Sequence, residues 1–492
     1  MRMHQGDQTS VAKGAVLTVL MRWIDRFVGF VSTLVLARLL VPDDFGIVAM
    51  ASLAVGLTDA LLDMGVHVAL IQNRHATAEH YNTAWTLRLI QSLLGCAIVF
   101  LFAPYAADYF NDARIEPVLR LMSVGLVFIG LENIGVVTFQ KEMRFGMDFR
   151  FVFLRRISGF LTTMIVAWFL RSYWALVIGA LSGRICGVFL SYYLHSMRPR
   201  ISFEKLKDIF TVSQWMLLNS LGNYLNLNLH NILVGRSTNA SVVGGYTLAC
   251  DISAMPTTEL LAPLNRVLFP AFVKAKHNLA ELKRVFLLAQ SVQTLLGMPA
   301  GAGLALVAHE AVYVLLGDKW SFIVPYVQIL ALASVVAVIT TSGSYLLMTV
   351  GKFRNAVLIT WIQVFAFLLG VMLVSPGTDA SLIAWLRFST VFSGLLLSLF
   401  MMIHMLKLIG YLDIFRVVAR PFLGVLAMTA AIVLLGDFVR APLAMALVIK
   451  VLAGAVVYPA TVLLMWLLAG KPQGAEAYLL EKASGVWKRG RN

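Results

Sequence analysis

Fourteen apolar runs of about 20 residues follow one another from near residue 14 to near residue 468. A run that long, carrying so few charges, crosses a hydrocarbon core as a helix, because lipid offers no partner to an open backbone N–H or C=O group. Little chain is left over for an extramembrane domain. Composition agrees, with 59% hydrophobic and 13% charged residues in a chain of 492 and a mean hydropathy of +0.82, which excludes an ordinary soluble domain. The expected fold is all-α, a polytopic membrane protein of about 14 transmembrane helices.

A net charge of +15 raises nucleic acid as a partner, but the charges sort by connection. With the N-terminus inside, the inward connections hold Arg74, Lys141, Arg144, Arg150, Arg198, Arg200, Lys205, Lys207, Arg266, Lys274, Lys276, Lys283, Arg284, Lys352, Arg354, Lys407 and Arg416. The outward connections hold only Arg114, Arg171, Lys319 and Arg440. This is the positive-inside pattern, and it predicts cytoplasmic termini at both ends. Basic and aromatic residues are not interleaved, so nucleic acid is not an expected partner. The first apolar run is too long for a signal peptide and is charged in its middle. Cys96, Cys186 and Cys250 fall singly within spans, which points to neither a disulfide nor a metal set.

That first run, Val11 to Leu40, contains Arg22, Asp25 and Arg26. At about 100° per residue the three occupy an arc of roughly 100°. Facing lipid, each costs on the order of 3 kcal/mol, so the stripe must face protein or enclosed water and marks a pathway. The turn that follows, Pro42-Asp43-Asp44, is short enough to make an antiparallel helix hairpin. The stretch Phe45 to Ala51 then aligns with Val243 to Ala249 at an offset of about 198 residues, which also pairs Arg38 with Arg236. The shared glycine suits a close helix approach. Six helices return the chain to the same side, so the halves read as parallel repeats. The expected organisation is an N-terminal six-helix lobe over 1–194, a cytoplasmic linker over 195–210, a C-terminal six-helix lobe over 211–406, two additional transmembrane helices over 407–469 and a basic tail over 470–492. The linker is expected to carry a short interfacial helix.

The stretch Leu36-Ala37-Arg38-Leu39-Leu40-Val41-Pro42-Asp43-Asp44-Phe45-Gly46-Ile47-Val48-Ala49-Met50-Ala51, with Asp63-Met64-Gly65 and Ala69-Leu70-Ile71-Gln72, resembles the start of bacterial polysaccharide-transport proteins. These are O-antigen and exopolysaccharide repeat-unit flippases, of which the colanic-acid and xanthan type is most similar. They belong to the multidrug, oligosaccharidyl-lipid and polysaccharide exporter superfamily. The motifs cover about the first 75 residues, and the helix count and repeat extend the likeness over the chain. The resemblance implies two six-helix lobes that carry an undecaprenyl-pyrophosphate-linked oligosaccharide across the bacterial inner membrane by alternating access. It also implies work alongside a polysaccharide polymerase and chain-length machinery, with no cofactor.

Such a cargo presents a diphosphate, a row of hydroxyls and an apolar tail. Guanidinium groups suit phosphate because they stay charged and donate in pairs, so Arg22, Arg26, Arg88 and Arg184, deep in their spans, are the candidates for the pyrophosphate end. Arg387 is also intramembrane, while Arg38, Arg155, Arg156 and Arg236 sit nearer span ends and are read as snorkelling to headgroups. Asn219, Asn223, Asn226 and His230, spaced four, three and four apart, fall within an arc of about 60° and are the candidates for sugar, against a helix-bridging role. Asp25, Asp59, Asp63, Asp251 and Glu259 are candidates for proton or sodium coupling. Glu132 is a further intramembrane carboxylate. Pro256, Pro263 and Pro299 are candidate helix breaks. A polymerase or glycosyltransferase is disfavoured by short outward connections, the longest being Ala103 to Glu116 and Ala308 to Phe322, and by the lack of a phosphate-cradling loop or nucleophile elbow. A cation exporter is disfavoured by the positive surplus in the spans. A peptidoglycan-precursor flippase shares the same anionic end and is separated only by the motif resemblance.

Overall fold

The computed structural model describes residues 28–481, except 30, 64, 67–69, 71–74, 143, 208–212, 376, 378, 406, 408, 439–441, 473 and 479–480. The described residues form helices and turns, with no strand. Ten of the described helices are long and apolar enough to cross a membrane, and one bent pair makes an eleventh. Two more long helices, Ser213–Ser237 and Ala240–Ala275, are too polar to pass that test. With the helical run through 31–39, these match the fourteen expected spans in order. The chain divides into two compact units, Met1–Gly244 and Gly245–Asn492.

In the first unit, α1 runs through 31–39, followed by α2 (Pro42–Leu62), α3 (Ala78–Phe110), α4 (Ile115–Leu131), a short 3-10 turn (Ile134–Val136) leading into α5 (Val137–Lys141), α6 (Phe145–Leu170), α7 (Trp174–Leu194) and α8 (Ser213–Ser237). The Pro42-Asp43-Asp44 turn does three jobs. Proline occupies the first turn of α2, where no intrahelical N–H partner is needed, and the two acids face the positive end of the helix dipole. Asp44 accepts from the backbone N–H of Val41 (3.2 Å) and of Tyr173 (2.9 Å), while Asp43 pairs with Arg114 (2.5 Å). The turn therefore ties the hairpin to the connections before α4 and α7.

The first turn of α9 (Ala240–Ala275) completes this unit. Here the repeat takes physical form. A Cβ built on Gly46 would lie 1.7 Å from the Ala240 carbonyl oxygen, and one on Gly244 would lie 2.2 Å from that of Pro42. Pro42 and Ala240 are themselves separated by the repeat offset, so the two contacts are reciprocal, residue i on j′ and j on i′. Each glycine is required because the opposing atoms are backbone and cannot step aside.

After α7, residues 195–203 are neither helix nor strand, 206–207 are helical, and the rest of the expected interfacial helix lies outside the described residues. A row of polar side chains on α3 holds the segment: Asn82, Thr86 and Thr83 accept from the backbone N–H groups of Arg200 (3.0 Å), Ser202 (3.0 Å) and Lys205 (3.3 Å). Those bonds satisfy backbone groups that no helix ladder engages. The long connections also shorten, since 103–110 continues α3 and Ala308–Leu315 is a helix.

The second unit holds the rest of α9, then α10 (Leu279–Leu306), α11 (Ala308–Leu315), α12 (Val324–Thr349), α13 (Phe353–Val374), α14 (Ala380–Phe400), α15 (Tyr411–Phe438) and α16 (Leu443–Leu468). Buried glutamines on α10 bind its neighbours: Gln290 donates to the Ile339 carbonyl (2.9 Å), and Gln293 bridges Asn265 (3.2 Å) and Ser342. The last two long helices are held by polar ties as well as by packing. Tyr458 donates to the Leu295 carbonyl (2.7 Å), Lys450 pairs with Glu310, and Arg420 pairs with Glu476 (2.8 Å).

The prolines do not break their helices: α9 is continuous through Pro256 and Pro263, and α10 through Pro299. The sharp bend, 65°, lies between α4 and the Ile134–Lys141 segment. Its cause is Asn133 rather than proline. The Asn133 side chain accepts from Gly135 N–H (2.9 Å) and donates to the Met197 carbonyl (2.7 Å), while its own N–H goes to Ser191 Oγ (2.9 Å). A residue so engaged starts a new turn instead of continuing the old one.

Candidate functional site

The first unit contains a cavity of about 830 Å³ whose lining includes Arg88, Arg155, Arg156, Arg184 and Glu132. Arg88 on α3, Arg155 on α6 and Arg184 on α7 each lie ten residues past the start of their helix, about 15 Å along its axis. The guanidinium groups therefore sit well inside apolar helices. Glycines make room for them. A Cβ on Gly125 would come within 2.5 Å of Arg184 Nη1, one on Gly187 within 2.7 Å of Arg155 Cδ, and one on Gly29 within 2.4 Å of Arg156 Nη2. α6 and α7 approach through Gly159, Gly179 and Gly183, where a built Cβ on Gly159 meets the Gly179 carbonyl oxygen at 3.0 Å. Small residues at such an interface let helix backbones pack closely.

Among the described residues, the cavity lining holds four guanidinium groups and the Glu132 carboxylate, which faces two of them. Glu132 Oε2 lies 3.6 Å from Arg88 Nη2 and 3.6 Å from Arg155 Nη1, an ion-pair separation rather than a hydrogen bond. Arg184 Nη1 makes a long contact (3.4 Å) to the Met122 carbonyl and interacts electrostatically with Asp59. Thr33, Thr163 and Phe160 complete a wall of hydroxyls and apolar surface. A water-accessible, net-positive cavity within apolar helices is suited to an anion whose charge must be held away from lipid.

The structure thus brings Arg88 and Arg184 together, and adds Arg155 and Arg156, which the sequence reading placed near a helix end. Arg22, Asp25 and Arg26 lie outside the described residues. Asp59 lies in the last turn of α2, and Asp63 just beyond its end, accepting from Gly65 N–H (2.9 Å) and Ser220 Oγ (3.0 Å). The two acids are four residues apart, and the charge of Asp63 acts on Asp59.

Asn219, Asn223, Asn226 and His230 are on α8, which docks on α2 through other residues. Ser220 meets Asp63, Tyr224 donates to the Leu53 carbonyl (2.6 Å), and Gly235 faces Met50 and Phe110. Those three docking positions and the Asn row are centred about 120° apart around the helix. Asn223 is exposed and His230 buried. None of the four lines the arginine cavity. In the second unit, Asp251 is exposed and Glu259 half-buried on α9, eight residues and so about 80° apart around the helix. Among the described residues no group of three or more metal-binding side chains occurs, and none of the three cysteines forms a disulfide.

Comparison with known proteins adds an independent line. The chain is 28% identical over 310 residues to the lipopolysaccharide biosynthesis protein WzxC of Escherichia coli (strain K12), covering 61% of this chain. The chain spans 62% of the length of that relative. It is 24% identical over 401 residues to the succinoglycan biosynthesis transport protein ExoT of Rhizobium meliloti (strain 1021), covering 80% of this chain and 78% of that one. Among solved structures, the lipid II flippase MurJ in an inward closed conformation superposes with a TM-score of 0.77 at 12% identity, covering 92% of this chain and 99% of that one. That likeness establishes the shared transporter fold and nothing about cargo. Residues 35–325 match the model of a family described as polysaccharide biosynthesis protein. Since this match spans more than half of the sequence, the chain belongs to the polysaccharide biosynthesis protein family.

Proposed function

We propose that the protein is a flippase, not an enzyme, that moves undecaprenyl-pyrophosphate-linked oligosaccharide repeat units from the cytoplasmic to the periplasmic leaflet of the bacterial inner membrane. It would do so by alternating access, for exopolysaccharide or lipopolysaccharide assembly, with both termini in the cytoplasm. The observation that carries this reading is the arginine-lined cavity. Its surplus of guanidinium groups matches a diphosphate, and repels the cationic cargo of a drug exporter. Arg88, Arg155, Arg156 and Arg184 hold the phosphate oxygens, while the Asn219 to His230 row offers amides that exchange hydrogen bonds with sugar hydroxyls. Proton or sodium coupling is assigned to the intramembrane carboxylates Asp25, Asp59, Asp63, Asp251 and Glu259. The polysaccharide polymerase and chain-length machinery receive the product.

The test is transport of a lipid-linked oligosaccharide in reconstituted vesicles, reading appearance of the sugar on the far leaflet. Arg88→Gln and Arg184→Gln, correctly inserted, are expected to lose most of the rate. Wild-type rates in both would remove the cavity from the transport path.

A further inference from the structure

We propose that Glu132 is a built-in stand-in for the cargo's phosphate: a counter-ion that an incoming diphosphate displaces from Arg88 and Arg155, and that opposes tight retention. The inference rests on the proposed cargo and deepens it by assigning a role to a residue within the same cavity.

Three observations carry it. A single carboxylate oxygen is shared between guanidinium groups on two different helices, α3 and α6, at 3.6 Å from each. That is longer than the roughly 2.7–2.9 Å of a charge-assisted hydrogen bond, so the carboxylate balances charge without engaging the N–H donors. Second, Glu132 is the residue at which α4 ends, with an extended backbone (φ −60°, ψ 136°). Its position is fixed by Asn133, whose N–H and side chain are bound to Ser191, Met197 and Gly135. Third, the carboxylate side chain is 9% exposed and faces the guanidinium-lined cavity. Among the described residues, the charged groups around it are Arg88 from α3, Arg155 and Arg156 from α6 and Arg184 from α7, the last also facing Asp59 of α2.

A phosphate offers more acceptor oxygens than a carboxylate and takes guanidinium donors in pairs, so it wins the two arginines on entry. Glu132 is then a like charge within a few ångströms of the bound diphosphate. This sets affinity to a level from which cargo can leave, the condition every translocation site must meet. No covalent step is involved.

The test is equilibrium titration of the purified full-length protein with farnesyl diphosphate and, separately, inorganic pyrophosphate. Glu132→Gln is expected to bind at least about tenfold tighter, the factor given by about 1.4 kcal/mol of relieved repulsion. Glu132→Asp, which keeps the charge, is expected to bind as the wild type does and covers the case in which the glutamine variant fails to fold. In reconstituted vesicles Glu132→Gln should lower both the half-saturating concentration and the maximal rate, a split that a merely structural defect does not produce. Tightening with either probe supports the exchange. The prenyl diphosphate responding marks a lipid headgroup site, and pyrophosphate alone marks a free-phosphate site. If the wild type binds and the glutamine variant binds no tighter, or if Glu132→Asp departs from the wild type, the counter-ion role is overturned. If the wild type binds neither probe, the cavity reading falls with it.

Discussion

Replacing Gly46 with alanine adds one methyl group at the most crowded backbone contact in the first unit. The new Cβ would lie 1.7 Å from the Ala240 carbonyl oxygen, 2.4 Å from its carbon and 2.9 Å from its Cα. Ordinary carbon–oxygen contacts are near 3.3 Å, so the starts of α2 and α9 must part by about 1.5 Å. Overpacking against side chains costs about 1–3 kcal/mol. Here the obstacle is main chain on both sides, which puts the cost at or above the top of that range. Alanine's better helix propensity returns up to about 1 kcal/mol, leaving a net loss of about 2 kcal/mol or more. For a unit of this size that is a fall of roughly 4–8 °C in melting temperature. Cys96, Cys186 and Cys250 form no disulfide and lie in helices, so a thiol-reactive fluorogenic dye reports melting without added labels. Gly244→Ala should behave like Gly46→Ala, because its Cβ would meet the Pro42 carbonyl oxygen at 2.2 Å and the Gly46 nitrogen at 2.6 Å. Gly146→Ala, with nothing within 4 Å, should melt at or slightly above the wild-type temperature. Equal melting of Gly46→Ala and wild type, or an equal fall in Gly146→Ala, would refute the reciprocal close approach.

Two further predictions concern buried polar groups. Lys450→Met leaves Glu310, 9% exposed at its side chain, as an uncompensated buried acid and should cost about 3–5 kcal/mol, whereas adding Glu310→Gln should recover most of it in a double-mutant cycle of dye-monitored unfolding. Additive losses would mean the pair does not interact. His195, just past α7, is held below its ordinary pKa by burial, and by nearby Arg144 and Arg198 against the opposing pull of Glu142. Its Nδ1 accepts from the Met197 N–H (3.1 Å) and its Nε2 lies 3.1 Å from Thr138 Oγ1, an arrangement that needs the neutral ring. With the folded value depressed, the neutral ring's contribution is complete above about pH 6.5 and is lost as pH falls through the folded value. Melting temperature should therefore drop more between pH 7 and about pH 5 in wild type than in His195→Gln, and parallel pH profiles would contradict it.

Much of this was legible in residue patterns, for identifiable reasons. Apolar run length predicts membrane helices because the bilayer forbids alternatives, and the fourteen runs have counterparts in order. The glycine shared by the two repeat blocks correctly signals close approach, since Gly46 and Gly244 meet the reciprocal backbones. Arg88 and Arg184 stood out because they interrupt long apolar stretches. Arg155 and Arg156 did not, because Arg144, Asp148 and Arg150 depress local hydropathy and disguise a helix that begins at Phe145. The bend at Glu132 was hidden for a related reason: prolines advertise breaks, whereas Asn133 breaks its helix only through partners distant in sequence, Ser191 and Met197. The course of residues 200–205 depends likewise on Asn82, Thr83 and Thr86 of α3. Periodicity identified the Asn219 to His230 row as one face but not what that face meets, because docking on α2 is set by the neighbouring Ser220 and Tyr224.

The central claim is that the arginine cavity receives the anionic end of a lipid-linked oligosaccharide. Its most direct measurement is site-specific photo-crosslinking in cells assembling the polysaccharide, with a benzophenone amino acid at Phe160, which lines the cavity, and at Phe169, 78% exposed on the same helix. The account predicts a mass-identified lipid-linked oligosaccharide adduct at Phe160 that collapses when Arg88→Gln and Arg184→Gln are added, with none at Phe169. Equal adducts at both positions, or an adduct at Phe160 that persists without the two arginines, would contradict it.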